Sequence, residues 1–201
     1  MPEPVPAENR NVVLKDPALA GFLAWLIPGA GHFYQGRTAK GILFSVCLLG
    51  TFFYGCYLSG NRELGHARAV YAWWADEDTR LPYLCQIGIG LPSLPALVQS
   101  NRARSGKEPH WGGFMAPPKP EGGNLPEATV RALANQPTLS DLNFKLHWYF
   151  ELGTVYTMIA GLLNILAIYD ACAGPVFTEE KEDKEKSDSQ DKPEPAAKEK
   201  A

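Results

Sequence analysis

The chain lacks the paired cysteine and histidine spacings on which disulfide scaffolds and zinc sites are built. Its four cysteines stand singly in or beside apolar segments: Cys47, Cys56, Cys85 and Cys172. Three of its histidines are scattered outside the apolar segments: His66, His110 and His147. We therefore predict that the cysteines are small buried hydrophobic side chains and that the chain has no metal site.

A strong net charge is also missing, since 19 Lys and Arg stand against 22 Asp and Glu. No basic cluster interleaved with aromatic residues occurs, which argues against a nucleic-acid partner. The glycine-rich stretch at residues 29–36 lacks the G-x-x-x-x-G-K-[ST] spacing of a phosphate-binding loop. Ser45, Ser93 and Thr154 are not accompanied by a His/Asp arrangement. We predict no catalytic residue and no cofactor.

Long apolar runs are what the chain does have. Its mean hydropathy of −0.18 resembles that of a soluble protein only because the charges are concentrated in the two ends and a central loop. Each apolar run is about as long as a helix that crosses ~30 Å of hydrocarbon. We therefore predict an all-α membrane protein with four transmembrane helices. The four runs are residues 17–34, 41–58, 81–99 and 152–169.

Composition divides the chain into seven segments, which alternate between polar and apolar character. The two ends are predicted to be disordered because they hold too few apolar residues to bury a core. The segments are a disordered tail (1–15), a transmembrane helical hairpin (16–60), a charged aromatic loop (61–80), a third transmembrane helix (81–99), a Gly/Pro-rich loop with a short helix (100–139), an interfacial segment continuing into the fourth transmembrane helix (140–175) and a disordered charged tail (176–201).

The first apolar run begins at a strong helix start and breaks before its end. Asp16 caps the helix and Pro17 suits its first turn. The Pro28-Gly29-x-Gly31 sequence is expected to kink the second half. No basic segment precedes the run and no clean cleavage site follows it. We therefore interpret it as a retained membrane helix rather than a signal peptide.

The later runs carry their own irregularities. Pro92 and Pro95 are expected to kink the third helix, for which a re-entrant segment is the alternative. Ser140-Asp141 is expected to cap an interfacial helix that leads into the fourth transmembrane helix. In the charged loop, three aromatic residues suit the belt at a membrane surface. They are Tyr71, Trp73 and Trp74.

The polar stretch between the first two runs is the sharpest local pattern. Its glycines let the chain turn and two helices approach, its polar side chains supply hydrogen bonds to open helix ends, and its two cations can reach lipid phosphates. We interpret it as a structural corner, with a ligand site as the alternative. The residues are Gly29, Gly31, His32, Tyr34, Gly36, Arg37, Lys40 and Gly41.

The fourth run holds polar and small residues at helical spacings. Gly153, Thr157, Gly161 and Asn164 recur every three or four residues, which predicts a face for close helix packing, with Asn164 hydrogen-bonded to another helix. Glu151 and Asp170 bracket the run, where both can reach the interface. A transport or catalytic site is the alternative to helix packing.

The corner, with its P-G-x-G-H-x-Y-x-G-R-x-x-K-G pattern between two apolar runs, resembles that of the two-transmembrane-helix (TM2-type) domain family over residues 15–58. Together with ELGTVYTMIAGLLNILAIYDACAGP at residues 151–175, it is similar to a bacterial family of multi-span membrane proteins of unknown function. The resemblance implies a membrane fold and location. It implies no activity and no catalytic residues.

Four crossings put both ends of the chain on one side of the membrane together with residues 61–80. Residues 36–40 and 100–139 then lie on the other side. A slight excess of Lys and Arg on the side of the tails favours cytoplasmic termini in a bacterial inner membrane.

These observations favour a structural or protein-interaction module without enzymatic activity. Its partners would be the lipid bilayer and a second copy or other membrane proteins. The alternatives are a small transporter or channel subunit, and a membrane enzyme that uses His32 with Glu151 or Asp170. The enzyme requires His32 to come within hydrogen-bond reach of a carboxylate.

Overall fold

A computed structural model describes residues 15–74, 79–122 and 124–173. The predicted tails lie outside this part of the chain, apart from Lys15. The described residues form eight α-helices and no strand, which confirms the predicted all-α class. The helices are α1 (Pro17–Leu26), α2 (Ala30–Tyr34), α3 (Thr38–Leu58), α4 (Pro82–Gln86), α5 (Leu94–Arg104), α6 (Glu127–Ala132), α7 (Leu139–Leu146) and α8 (Trp148–Ala173).

Two long helices, α3 and α8, form the axis of the fold. They run antiparallel, since Lys40 near the start of α3 meets Asp170 near the end of α8, and Gly55 meets Gly153 at the opposite end. Among the described helices, these two are long and apolar enough to cross a membrane by length and composition. The prediction of four such helices is therefore wrong. We call the end with Lys40 and Asp170 the tail end, and the opposite end the head end.

The first apolar run folds into a short hairpin at the tail end. Asp16 caps α1 by accepting from the main-chain N–H of Ala18 at 2.9 Å. The helix ends after ten residues, because Pro28 has no N–H to continue it and Gly29 adopts a φ of 86°. The chain then reverses, and α2 returns to the tail end, where Arg37 contacts Asp170. In place of the expected kink, the first apolar run therefore makes a complete reversal between α1 and α2, beside the middle part of α8.

The third apolar run also reverses, but it starts from the head end. Helix α4 continues into a 3-10 turn at Ile87–Ile89 and, after a second 3-10 turn at Leu91–Ser93, into α5. Gly90, with φ 79° and ψ −132°, makes the reversal. The Tyr83 hydroxyl donates to the main-chain oxygen of Ser93 at 2.9 Å and ties the two arms together. The third run is therefore a helical hairpin rather than a continuous kinked helix.

The segments between α3 and α8 pack together as a head at the head end. The buried Arg68 joins them by donating to the main-chain oxygen of Gly113 and to Gln136 Oε1, each at 2.8 Å. Burial lowers the pKa of the Arg68 guanidinium to about 10, which leaves it charged at neutral pH. Glu63 likewise pairs with Lys145. The described residues of 61–80 and 100–146 therefore lie at the same end, not on opposite sides as four crossings required.

Two local predictions about the head are corrected by the structure. Tyr71 and Trp73 are buried in a second apolar cluster with Leu133 and Phe150, so they do not form a belt, while Trp74 remains partly exposed. The N-cap of α7 is Thr138, whose side chain forms a reciprocal capping box with Asp141. Ser140 is already helical.

The burial of the four cysteines is also less uniform than predicted. All four are free, but only Cys56 is buried. Cys47 is exposed on α3, and Cys85 and Cys172 are intermediate.

Candidate functional site: an ion-paired corner and a mid-helix junction

The first polar site lies at the tail end, around the carboxylate of Asp170. His32 Nε2 donates to Asp170 Oδ2 at 2.8 Å. Arg37 Nη2 donates to the same oxygen at 3.0 Å, and Arg37 Nη1 donates to the main-chain oxygen of Asp170, also at 3.0 Å. Lys40 Nζ lies 3.3 Å from both carboxylate oxygens. We call this set the Asp170 cluster.

Burial in the Asp170 cluster decreases from the inside to the outside. The His32 side chain is fully buried, that of Arg37 is 12% exposed, and that of Lys40 is 48% exposed. One carboxylate thus neutralises two permanent cations only in part, and the cluster keeps a net positive charge. The cluster fastens the α1–α2 hairpin and the start of α3 to the end of α8.

The remaining corner residues shape the backbone around this cluster. Gly29 lies against the main-chain oxygen of Gly41 and Ser45 Oγ, and Gly31 lies against the main chain of Ala20, so neither has room for a side chain. Gly41 lies under the ring of Phe33. Two members lie at the edge. Gly36 (φ 77°) has open space where a Cβ would lie, and the ring of Tyr34 lies 5.2 Å from Lys15 Nζ.

The small-residue face of α8 is buried along its whole length. Gly153 faces the main chain of Gly55 and Ser59 on α3, and Gly161 faces the main-chain oxygen of Cys85 on α4. Thr157 Oγ1 accepts from Gln86 Nε2 at 2.8 Å. The face therefore packs against α3 at the head end and against the second hairpin further along.

The second polar site lies where the tips of the two hairpins meet beside α8. Asn164 Nδ2 donates to the main-chain oxygen of Ala24 at 3.2 Å and to that of Gly88 at 2.9 Å. The oxygen of Ala24 is open because its usual helical donor would be residue 28, which is proline. Trp25 Nε1 donates to the main-chain oxygen of Ile87 at 3.2 Å. We call this meeting point the junction.

Both sites fall inside one family match. Residues 19–184 match the model of a family of unknown function, DUF6677. The chain belongs to this family. No curated protein and no solved structure matches it.

In this DUF6677 protein, three fully buried side chains keep a polar atom without a hydrogen-bond partner among the described residues. They are His32, Gln86 and Asn164, with Nδ1, Oε1 and Oδ1 unpaired. Each of these atoms can accept a hydrogen bond or coordinate a cation when its ring or amide donates elsewhere. Gln86 was missed in the sequence. The feature that could have indicated Gln86 is an amide side chain in the middle of an apolar run.

Other candidates are not brought together in the DUF6677 chain. Glu151 lies at the head end of α8, nineteen positions from Asp170, so of the two carboxylates considered with His32 only Asp170 reaches it. Within residues 15–74, 79–122 and 124–173, no three His, Cys, Asp or Glu side chains converge as metal ligands.

A cavity of about 260 Å³ opens in the head between Glu108 and Gln136.

Proposed function

We propose that this DUF6677 chain is an integral membrane protein that crosses the bilayer twice and acts as a structural or protein-interaction module. Helices α3 and α8 make the crossings. The two hairpins enter from opposite faces and return, and the head lies outside the bilayer. Both termini then lie on the side of the Asp170 cluster.

The exposed apolar surface of the long helices carries this proposal. Only 28% of the apolar window of α3 and 39% of that of α8 are buried, whereas a core helix of a soluble protein is mostly covered. Large side chains such as Val46, Tyr57 and Leu166 are each about two-thirds exposed, at 67%, 67% and 65%. A contiguous apolar surface of this size needs a covering, and lipid provides one.

The positions of aromatic and charged residues on α8 match the thickness of a bilayer. Trp148 and Tyr149 are exposed at the head end, next to the exposed Phe144 of α7, and Tyr169 is exposed at the tail end. At ~1.5 Å per residue, Tyr149 and Tyr169 are about 30 Å apart along the axis. No Asp, Glu, Lys or Arg lies between Glu151 and Asp170. This is the arrangement of interfacial aromatics around ~30 Å of hydrocarbon.

The distribution of basic residues supports cytoplasmic termini for a two-crossing chain. Within about fifteen residues of the helix ends, the positive-inside rule counts Lys and Arg only. Three lie on the head side: Arg62, Arg68 and Lys145. Five lie on the tail side, in or just before the first turn of α3 and after α8: Arg37, Lys40, Lys181, Lys184 and Lys186.

A non-enzymatic role is supported by the way the Asp170 cluster is used. The one carboxylate within reach of His32 also accepts from Arg37 and Lys40. Such a carboxylate is a poor proton acceptor because cations favour its charged form. The cluster instead joins three segments of the chain, which suits a scaffold. An enzyme that uses His32 and Asp170 remains the rival proposal, since the pair meets the distance requirement.

A charged residue placed on the exposed face of α3 tests whether that face contacts lipid or water. Val46→Lys is expected to cost about 2.5–3.5 kcal/mol of insertion preference, because the residue lies near the middle of the helix. The fraction of the chain that resists alkaline carbonate extraction should fall. Val130→Lys, an equal change in the head, should leave that fraction unchanged. If the two variants behave alike, α3 does not face lipid, since a Lys on a water-exposed surface costs at most about 0.5 kcal/mol.

The interaction role is tested by crosslinking in the native membrane with a reagent that joins lysines. We expect discrete adducts that contain either a second copy or another membrane protein, identified by mass spectrometry. Recovery of the monomer alone, at reagent levels that crosslink a known membrane dimer, would count against a protein-interaction module.

A further inference from the structure

The two hairpins present the same kind of helix end to the junction. Helix α1 runs from the tail end to the junction, and α4 with its 3-10 turn runs there from the head end, so both arrive with their C-terminal ends. The carbonyl groups at a helix C-terminus carry a partial negative charge. The potential of the two ends therefore favours a cation where they meet.

Two main-chain oxygens at the junction are left open by the break at the end of α1. No described donor pairs with the oxygens of Trp25 or Leu26, because Gly29 donates no bond to α1 and the N–H of Ala30 is bonded to Ile27. Gly90, at the tip of the second hairpin, packs directly over the oxygen of Trp25. The open oxygens of the first hairpin thus lie directly beside the tip of the second.

Asn164 adds an observation that is independent of the helix ends. Its side chain is fully buried, and its Nδ2 is held by one carbonyl from each hairpin. Its Oδ1 has no partner among the described residues. The amide is therefore fixed at the junction with an unsatisfied oxygen, which is a ligand for a hard cation.

We propose that the junction binds a monovalent cation, Na⁺ or K⁺, through Asn164 Oδ1 and main-chain oxygens of the hairpin tips. Ligands without full negative charge suit monovalent ions, whereas Ca²⁺ and Mg²⁺ sites draw on carboxylates. The carboxylate of Asp170, on the same helix, is already paired with Arg37 and Lys40. Broken helices whose C-terminal carbonyls hold Na⁺ near the bilayer midplane are a known arrangement.

Thermal unfolding of the full chain in detergent micelles tests this inference. Titrations with NaCl and with KCl are compared with N-methyl-D-glucamine chloride at constant ionic strength. The unfolding temperature should rise saturably with Na⁺, K⁺ or both, and the separate titrations show which. Asn164→Ser keeps a hydroxyl donor for one of the two carbonyls but removes the amide oxygen, and it should weaken the apparent Kd about tenfold. Asn164→Leu should abolish the response, and the exposed control Asn143→Leu should keep it.

An unfolding temperature that depends on ionic strength alone would overturn the inference. So would a cation response that Asn164→Ser leaves unchanged, since the ion would then bind elsewhere. If Asn164→Leu does not fold, the wild-type and Asn164→Ser titrations still decide. The inference rests on the proposed membrane placement only for the depth of the site. A chain that resists carbonate extraction but shows no specific cation response would contradict the cation site alone.

Discussion

Replacing Gly90 with alanine is expected to destabilise the fold by about 3–5 kcal/mol, the sum of backbone strain and overpacking. Gly90 has φ 79° and ψ −132°, a region that only glycine adopts without strain. A methyl group there would also overlap the main-chain oxygen of Trp25, and would force the two hairpins apart. The loss should appear as a lower midpoint when detergent-solubilised protein is titrated with SDS.

Two other glycines separate the causes of this effect. Gly112 has a φ of 62° and Gly50 lies inside α3, and neither has an atom within 4 Å of an added Cβ. Gly112→Ala should therefore cost only the local strain, about 1 kcal/mol, and Gly50→Ala should stabilise α3 by up to about 1 kcal/mol. If Gly90→Ala costs no more than Gly112→Ala, the hairpins do not meet as described.

Removal of the Asp170 carboxylate is expected to produce the second large effect. In Asp170→Ala, the buried His32 and the nearly buried Arg37 lose their common acceptor. Removing one partner of a buried ion pair costs about 3–5 kcal/mol, and the partial exposure of Asp170 places the expected loss near about 3 kcal/mol. The same SDS titration measures it.

Two variants serve as controls for the Asp170 prediction. Asp170→Asn keeps an oxygen for His32 and should recover part of the loss. Glu151→Ala removes the exposed carboxylate at the other end of α8 and should change stability by no more than about 0.5 kcal/mol. Equal effects of Asp170→Ala and Glu151→Ala would mean that the cluster does not hold the hairpin to α8.

The helical class, the helix start at Asp16 and the break at Pro28-Gly29 could be read from local sequence. The number of long helices could not. A count of apolar residues does not distinguish one continuous helix from two short arms of a hairpin, because both bury about the same apolar surface. Pro28 predicted a kink in the first run, and Pro92 and Pro95 predicted one in the third, but only the packing of one tip against the other turns each kink into a reversal.

Local sequence predicts the side chains of the two polar sites better than their partners. His32 and Asp170 are 138 residues apart, so the sequence offers Glu151 and Asp170 equally as partners for His32, and only the fold selects Asp170. At the junction, most of the acceptors are main-chain oxygens, which every residue has, so no side-chain motif in the sequence can indicate them. Tyr71 and Trp73 were placed at a membrane surface because aromatic residues beside an apolar run often lie there, but the head supplies an apolar cluster that buries them.

Thiol labelling with a membrane-impermeant maleimide tests the two-crossing architecture most directly. In a cysteine-free background, single cysteines are placed at three exposed positions: Arg62→Cys, Ser140→Cys and Ala39→Cys. If the chain crosses twice, Arg62→Cys and Ser140→Cys label from the same side of sealed vesicles and Ala39→Cys labels only from the other. Labelling of Arg62→Cys and Ser140→Cys from opposite sides would restore four crossings and contradict the re-entrant hairpins.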